Sequence, residues 1–217
     1  MADETKASFT GSDLACRRGE RLIFAGLDFA LPPRGVLLLR GPNGSGKSSL
    51  LRLMAGLSRP EAGVISWNGD SILDDAAAHR ARLHFIGHWD AIKPTLNLAE
   101  TLTFWAEMRG SGSAISAALA HFRLSRLAPL PCRFLSAGER KRLALARLIA
   151  SPATLWLLDE PTTSLDAAGT EDLLRAITTH RAAGGRVVIA SHAPLALENA
   201  MTLALDDYTP RARTIAA

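Results

Sequence analysis

The sequence predicts an α/β fold: a parallel sheet covered by helices, preceded by antiparallel β structure and interrupted by an all-helical lobe. Three observations carry this. A glycine-rich loop, Gly41-Pro42-Asn43-Gly44-Ser45-Gly46-Lys47-Ser48, stands between a compact apolar strand and a helix. A second apolar run, Leu155-Trp156-Leu157-Leu158, ends in two acids, Asp159-Glu160. From about 88 to 150 no strand pattern occurs, whereas strands and helices alternate on both sides.

Taken in order, short and alternating apolar runs from Phe9 to Phe29 read as β-hairpin material, and Val36–Arg40 is a strand feeding the glycine loop. After Lys47 the pattern turns helical. Leu50, Leu51, Met54 and Leu57 share a face, Gly56 lies near the end, and Pro60 forbids continuation, so a helix over 47–57 is expected. Val64–Trp67 before Asn68-Gly69 is a strand with a turn dipeptide, and Leu83–Ile86 is a further strand. In the helical stretch, Asn97 and Glu100 form a capping pair ahead of Leu98–Arg109. Gly110–Ser113 is a loop and Ala114–Phe122 a second helix; Pro129 and Pro131 then break the chain. A helix over Arg140–Ala150 follows. Alternation resumes with a strand at Thr154–Leu158, a helix at Ala167–Arg181, the Gly184-Gly185 turn and a buried strand at Val187–Ala190. Residues from Tyr208 onward carry no pattern.

The length suits one domain, 1–217, with a catalytic core and β region over 1–88 and 151–217 and a helical lobe over 89–150. With 47% apolar residues a substantial core is expected. The longest apolar stretch, Leu143–Leu158, is interrupted by Arg147, Ser151 and Pro152 and falls short of the roughly 20 residues a bilayer span needs. The acidic start, Ala2-Asp3-Glu4, is unlike a secretory signal, so a soluble or peripheral chain is expected. Cys16 and Cys132 show neither metal-ligand spacing nor a disulfide framework. The net charge of +4 is mild and the basic clusters lack interleaved aromatics, so nucleic acid is not an expected partner. Arg140-Lys141-Arg142 with Arg147 reads as the solvated face of a helix, with attraction to an anionic membrane surface as the lesser alternative.

The glycine loop fits G-x-x-x-x-G-K-[ST] without mismatch and in the required strand–loop–helix context. Gly41, Gly44 and Gly46 let the backbone curl so that its N–H groups face a phosphate chain, and the following helix adds its positive end. Lys47 is placed to reach the terminal phosphates, and the Ser48 hydroxyl to serve as a ligand of Mg²⁺; Ser49 completes the nucleotide-binding set. Asp159 closes a strand, where one carboxylate can hold the Mg²⁺ shell, and Glu160 can orient and deprotonate the attacking water. Leu135-Ser136-Ala137-Gly138-Glu139 alone is a capped helix start, with Ser136 as N-cap. Ser191-His192 ends a buried strand, where a lone histidine is more often structural. His84 and His88 would lie about 13 Å apart on a strand, too far to share a metal.

Together and in this order these elements resemble the ABC-type ATPases, P-loop NTPases with a RecA-like core, an N-terminal antiparallel β subdomain and an inserted helical subdomain. The resemblance spans most of the chain. It implies ATP and Mg²⁺ as ligands and makes Leu135–Glu139 the family's signature sequence. It implies a homodimer formed on ATP binding, with the phosphate loop of one chain facing the signature of the other. It further makes Glu160 and Lys47 catalytic, His192 the switch histidine at the γ-phosphate, and Ser164, Leu165 and Asp166 the loop that couples the two sites. Three positions depart from the family's pattern. Where members stack an aromatic on adenine, the stretch is Leu14–Gly19, and Arg18 could stack through its guanidinium. Trp89 stands where a glutamine usually touches the metal, leaving Asp90 or water to make the link. Glu139 replaces a common glutamine.

Gly87–Leu96, Ala99–Trp105 and Leu155–Gly169 are in turn similar to the haem-exporter ATPases of cytochrome c maturation. That likeness implies a peripheral subunit on the cytoplasmic face of a bacterial inner membrane, with an integral permease and haem-handling membrane subunits as partners. ATP hydrolysis would drive release of a haem-loaded chaperone. The alternative is an exporter ATPase for another cargo, such as a drug, lipid or lipoprotein. Kinases and GTPases lack Leu135–Glu139, and ABC proteins of translation or DNA repair usually need tandem cassettes.

Overall fold

The computed structural model describes residues 8–87, 90–110 and 114–209. Two sheets form. The first has the order β2-β1-β4-β5, with β1 (Phe9–Arg18) and β2 (Arg21–Leu31) paired antiparallel and β4 (Ala62–Trp67) on the other edge of β1. Asn68 and Gly69 take φ of 55° and 96°, the left-handed pair that a two-residue hairpin turn requires, and they lead into β5 (Asp70–Ser71). The second sheet is wholly parallel, in the order β6-β7-β8-β3-β9, from β6 (Leu83–Ile86), β7 (Leu155–Asp159), β8 (Arg186–Ala190), β3 (Val36–Arg40) and β9 (Met201–Ala204).

Alternate residues of each central strand feed opposite cores, as the two-residue period dictates. Leu37, Leu39, Leu155, Leu157 and Val188 join the first sheet and α1 (Lys47–Met54). Val36, Leu38, Trp156, Leu158, Val187 and Ile189 join a helical layer. That layer contains α3 (Leu98–Glu107), α4 (Ile115–His121), α5 (Ala137–Ala150) and α6 (Ala167–Ala182). Both faces are therefore covered, and β7 and β8 are buried at every residue. Leu157, at 0% exposure, is a position where truncation to alanine would cost about 2–5 kcal/mol.

Several expectations need correction. Helix α1 stops at Met54 because Gly56 turns left-handed at φ 65°, so Leu57 leaves the buried face and is 56% exposed. Helix α5 begins at Ala137, three residues ahead of expectation, because Ser136 and Glu139 close a capping box. The basic cluster on α5 is not a solvated face. Lys141 and Arg147 are buried; Arg147 lies over the Trp105 ring at 4.4 Å and donates to the Phe85 carbonyl at 2.7 Å. Its apolar surroundings push the guanidinium down to about 10. The short helix α2 (Ala76–Ala81), capped by Asp75, and strands β5 and β9 carry too few patterned residues to stand out in the sequence. Elsewhere the expected hairpin, β3, β6, α3 with its Asn97–Glu100 box, α4 and α6 form where the sequence put them. Both cysteines are buried and unpaired.

Candidate functional site

Three neighbouring strands end at one place. The register pairs Leu39 and Asp159 with Ala190, so the loops after β3, β7 and β8 emerge side by side at the carboxyl edge of the sheet. Arg40 ties two of them together by donating to the Ser191 and Ala193 carbonyls, both at 3.0 Å. Glu160 donates its N–H to the Ala190 carbonyl at 2.8 Å, which anchors the third.

The result is a cleft of about 250 Å³ lined by Arg18, Ile23, Asn43, Gly44, Gly46, Lys47, Ser48, Ser49, Asp159, Glu160 and His192. Gly41, Gly44 and Gly46 take φ of 142°, 82° and 103°, a backbone that L side chains rarely adopt. A Cβ on Gly46 would lie 2.6 Å from Ile23, so the loop can rest against the hairpin only through glycine. Gly46 also caps α1 without any side-chain bond, and the first turn carries no acid. The N–H groups and the positive end of α1 therefore face the cleft uncompensated.

Lys47 is 7% exposed, and its ammonium donates to the Gly41 and Pro42 carbonyls at 2.8 and 3.1 Å. Its third neighbour is His192 Nε2 at 3.2 Å. An ammonium has no lone pair, so this contact makes Nε2 the acceptor and leaves the ring proton on Nδ1. Glu160 Oε1 stands 3.4 Å from the same Nε2 and has no hydrogen-bond partner, while Oε2 accepts from the His192 N–H at 3.4 Å. Glu160 itself is held at φ 46°, a strained conformation for a side chain of this kind. The cleft thus gathers a buried cation, an imidazole and a carboxylate oxygen with spare acceptor capacity.

Buried Asp159 and the Ser48 hydroxyl line the same wall. An anionic oxygen beside a hydroxyl is a hard donor pair that suits Mg²⁺ better than a soft metal. Among the described residues no group of three His, Cys, Asp or Glu could hold a metal by itself, so the donor set fits an ion that arrives with phosphate oxygens.

Leu135–Glu139 does not line this cleft. Ser136 Oγ accepts from the Glu139 N–H at 3.3 Å, and the Glu139 carboxylate accepts from the Ser136 N–H and Oγ, both at 2.8 Å. Those bonds hold the Glu139 carboxyl below its ordinary range. Gly138 packs close to the loop that holds Ser164: an added Cβ would stand 2.9 Å from the Ser164 carbonyl. Asp166 caps α6 through the Gly169 N–H and pairs with Arg142.

Arg18 lies at the cleft mouth, so the hairpin does deliver it to the phosphate loop. The reading of Trp89, and of His88, lies outside the described residues. His84 is bound to the Ser151 carbonyl and pushed down to about 3 by burial, which makes it a neutral core residue. Sequence reasoning missed Ile23, which lies on β2 two residues beyond Arg21, the hairpin partner of Arg18. It also missed the burial of Lys141, whose ammonium is pushed down by desolvation and held up in turn by Asp90, Asp159 and Glu160.

The family profile described as ABC transporter matches residues 24–163. The chain belongs to the ABC transporter family. That membership makes it an ATP-binding subunit with ATPase activity, and implies membrane permease partners. Three relatives carry the name cytochrome c biogenesis ATP-binding export protein CcmA. The one from Rhodospirillum rubrum is 55% identical over 95% of this chain and 89% of its own. Those from Paramagnetospirillum magneticum and Nitrosococcus oceani are 50% and 41% identical, over 96% and 94% of this chain and 97% and 94% of theirs. Among solved structures, a putative ABC transporter ATP-binding protein from Pyrococcus furiosus shares the fold with a TM-score of 0.83 at 22% identity, covering 94% of this chain and all of that one. An ATP-binding cassette in its ADP conformation gives 0.71 at 18% identity, covering 86% of this chain and 82% of its own. Among the described residues of this chain no helix is long and apolar enough to cross a membrane.

Proposed function

We propose that the chain is the ATP-hydrolysing subunit of the exporter that serves cytochrome c biogenesis, and that it works as an ATP-bridged pair of copies. The carrying observation is the cleft that gathers Lys47, Ser48, Asp159, Glu160 and His192 while excluding Leu135–Glu139. In this reading Gly41–Ser49 cradles the triphosphate, Lys47 neutralises its terminal oxygens and Arg18 stacks on adenine. Ser48 and Asp159 would hold Mg²⁺, which would supply charge neutralisation to the phosphate chain. Glu160 Oε1 accepts a proton from the attacking water, and His192, its ring freed from Lys47, donates an imidazole N–H to the γ-phosphate. The first turn of α5 from the second copy closes the site with its N–H groups and Ser136. Ser164, Leu165 and Asp166 then link the two sites. The division of labour follows 1–88 and 151–217 as core and 89–150 as helical lobe.

The names of the relatives support cytochrome c biogenesis as the process. A permease and haem-handling membrane subunits on the cytoplasmic face of an inner membrane complete the proposal, with hydrolysis releasing a haem-loaded chaperone. Deleting the gene in its own host tests it. Loss of all c-type cytochromes, with haem trapped covalently on its chaperone, is expected; intact cytochromes would sink the assignment and point to another cargo. In vitro, chelating Mg²⁺ should abolish turnover while nucleotide still binds.

A further inference from the structure

Arg142 lies in the second turn of α5, just beyond the capping box. One of its guanidinium nitrogens donates to both carboxylate oxygens of Asp166, each at 2.6 Å. Asp166 also accepts from the Gly169 N–H at 2.8 Å, and that bond, with Arg142 behind it, holds its carboxyl below the usual range. The fit around the pair is close. A Cβ on Gly169 would stand 3.1 Å from Arg142 Nε, and one on Gly138 would stand 2.9 Å from the Ser164 carbonyl. The first two turns of α5 and the segment 164–166 therefore meet at two points, Gly138 against Ser164 and Arg142 against Asp166.

The segment is also stiff on its way back to the catalytic carboxylate. Thr163 donates to the Glu160 carbonyl at 3.3 Å and Leu165 to that of Thr162 at 3.0 Å. Glu160 and Ser164 both sit in the left-handed region, at φ 46° and 69°. A short, hydrogen-bonded run of chain thus joins Asp166 to Glu160. Stability does not explain the ion pair well. Its side chains are 18% and 61% exposed, and exposed pairs contribute little.

We propose that Arg142 is a positioning residue: by gripping Asp166 it locks the 164–166 loop to the signature turn of its own subunit, so that contact of that turn with the partner's ATP sets the placement of Glu160 in its own site. This rests on the reading of the chain as an ATP-bridged dimer. The two active sites then fire as a coupled pair, and the coupling passes through one guanidinium.

The test uses the purified full chain with Arg142→Ala, Asp166→Asn, their combination and Arg142→Lys. Asparagine still caps α6 but loses the charge, so it isolates the grip from the cap. ATP turnover is followed against ATP concentration, with melting temperature alongside. Each single substitution should lower kcat roughly tenfold and bring the Hill coefficient to about one, with KM changed less than about twofold. The double variant should be no worse than either single one, and lysine should restore part of the loss. Wild-type kcat and cooperativity in Arg142→Ala would overturn the proposal, as would additive losses in the double variant or losses that track melting temperature. If Arg142→Ala does not fold, Asp166→Asn decides by the same criteria. Normal turnover in Glu160→Gln, by contrast, would overturn the catalytic reading itself.

Discussion

Two helix starts divide the chemistry of this chain, and they are built in opposite ways. Helix α1 opens on left-handed Gly46 with no side-chain cap and no acid in its first turn. Helix α5 opens on Ser136 with a complete capping box, its own Glu139 carboxylate lying across the turn. The first leaves its donors for an anion and is satisfied only when phosphate arrives. The second satisfies part of itself within the monomer. A phosphate reaching α5 must share Ser136 Oγ with Glu139 and approach a fixed negative charge. In the proposed dimer ATP would therefore be held firmly by the chain that owns α1, and the grip of α5 from a second copy would be conditional. Helix α3 is the control: its Asn97–Glu100 box has the same geometry and no phosphate loop to face. A capping box alone is structure; in the proposed dimer, position would make the α5 box a site.

The largest test of this contrast is chemical. Glu160→Gln should reduce turnover by roughly 10³-fold, within the range for a lost general base, while ATP binding at α1 persists. Steady-state hydrolysis and equilibrium nucleotide binding check both halves, and near-normal turnover would remove Glu160 as the base. Next comes the pair of caps. Ser136→Ala and Asn97→Ala should each cost about 1 kcal/mol of stability by denaturant titration. Only Ser136→Ala should also lower ATPase, by roughly tenfold, as expected for a lost transition-state donor; equal ATPase in the two variants would dissolve the distinction between α5 and α3. Smaller again is Glu139→Gln. It keeps a capping side chain but removes the charge facing the partner's phosphate, so ATP-driven association in a Glu160→Gln background should strengthen about threefold to tenfold. Weaker association would mean that the Glu139 charge assists closure. The smallest effect concerns pH. Glu139 titrates below its ordinary value, so its share of the α5 cap is present above about pH 4.5 and is lost as pH falls through the lowered folded value. Melting curves of wild type and Glu139→Gln should therefore keep a constant separation from pH 6 to 8 and converge in acid.

Legibility in the sequence followed physical range. The phosphate loop, the Asp159-Glu160 strand end, the Asn97–Glu100 capping pair and the Ser136 N-cap are local patterns, and each formed at or within a few residues of its expected place. The parallel sheet was legible because β3, β7 and β8 are short, apolar at all but one end residue and separated by helices. Failures came where long-range packing decides. Lys141 and Arg147 read as surface cations, yet tertiary contacts bury them, and nothing local in Arg140–Arg147 announces Trp105 above the guanidinium. Leu57 matched a helical period that Gly56 had already broken. The Arg142–Asp166 pair spans 24 residues, so only the structure brings it together. The separation of Leu135–Glu139 from the cleft was likewise an expectation drawn from family likeness, and it is now a geometric fact about one chain.

That separation carries the central claim, that the working ATPase is two copies each completing the other's site. Sedimentation of the Glu160→Gln chain with and without Mg-ATP tests it most directly. The account predicts a monomer without nucleotide, a dimer with it, and a return to monomer when Ser136 is also replaced by a bulky residue. A chain that stays monomeric at saturating Mg-ATP would contradict the account, and so would a stable dimer that forms without nucleotide.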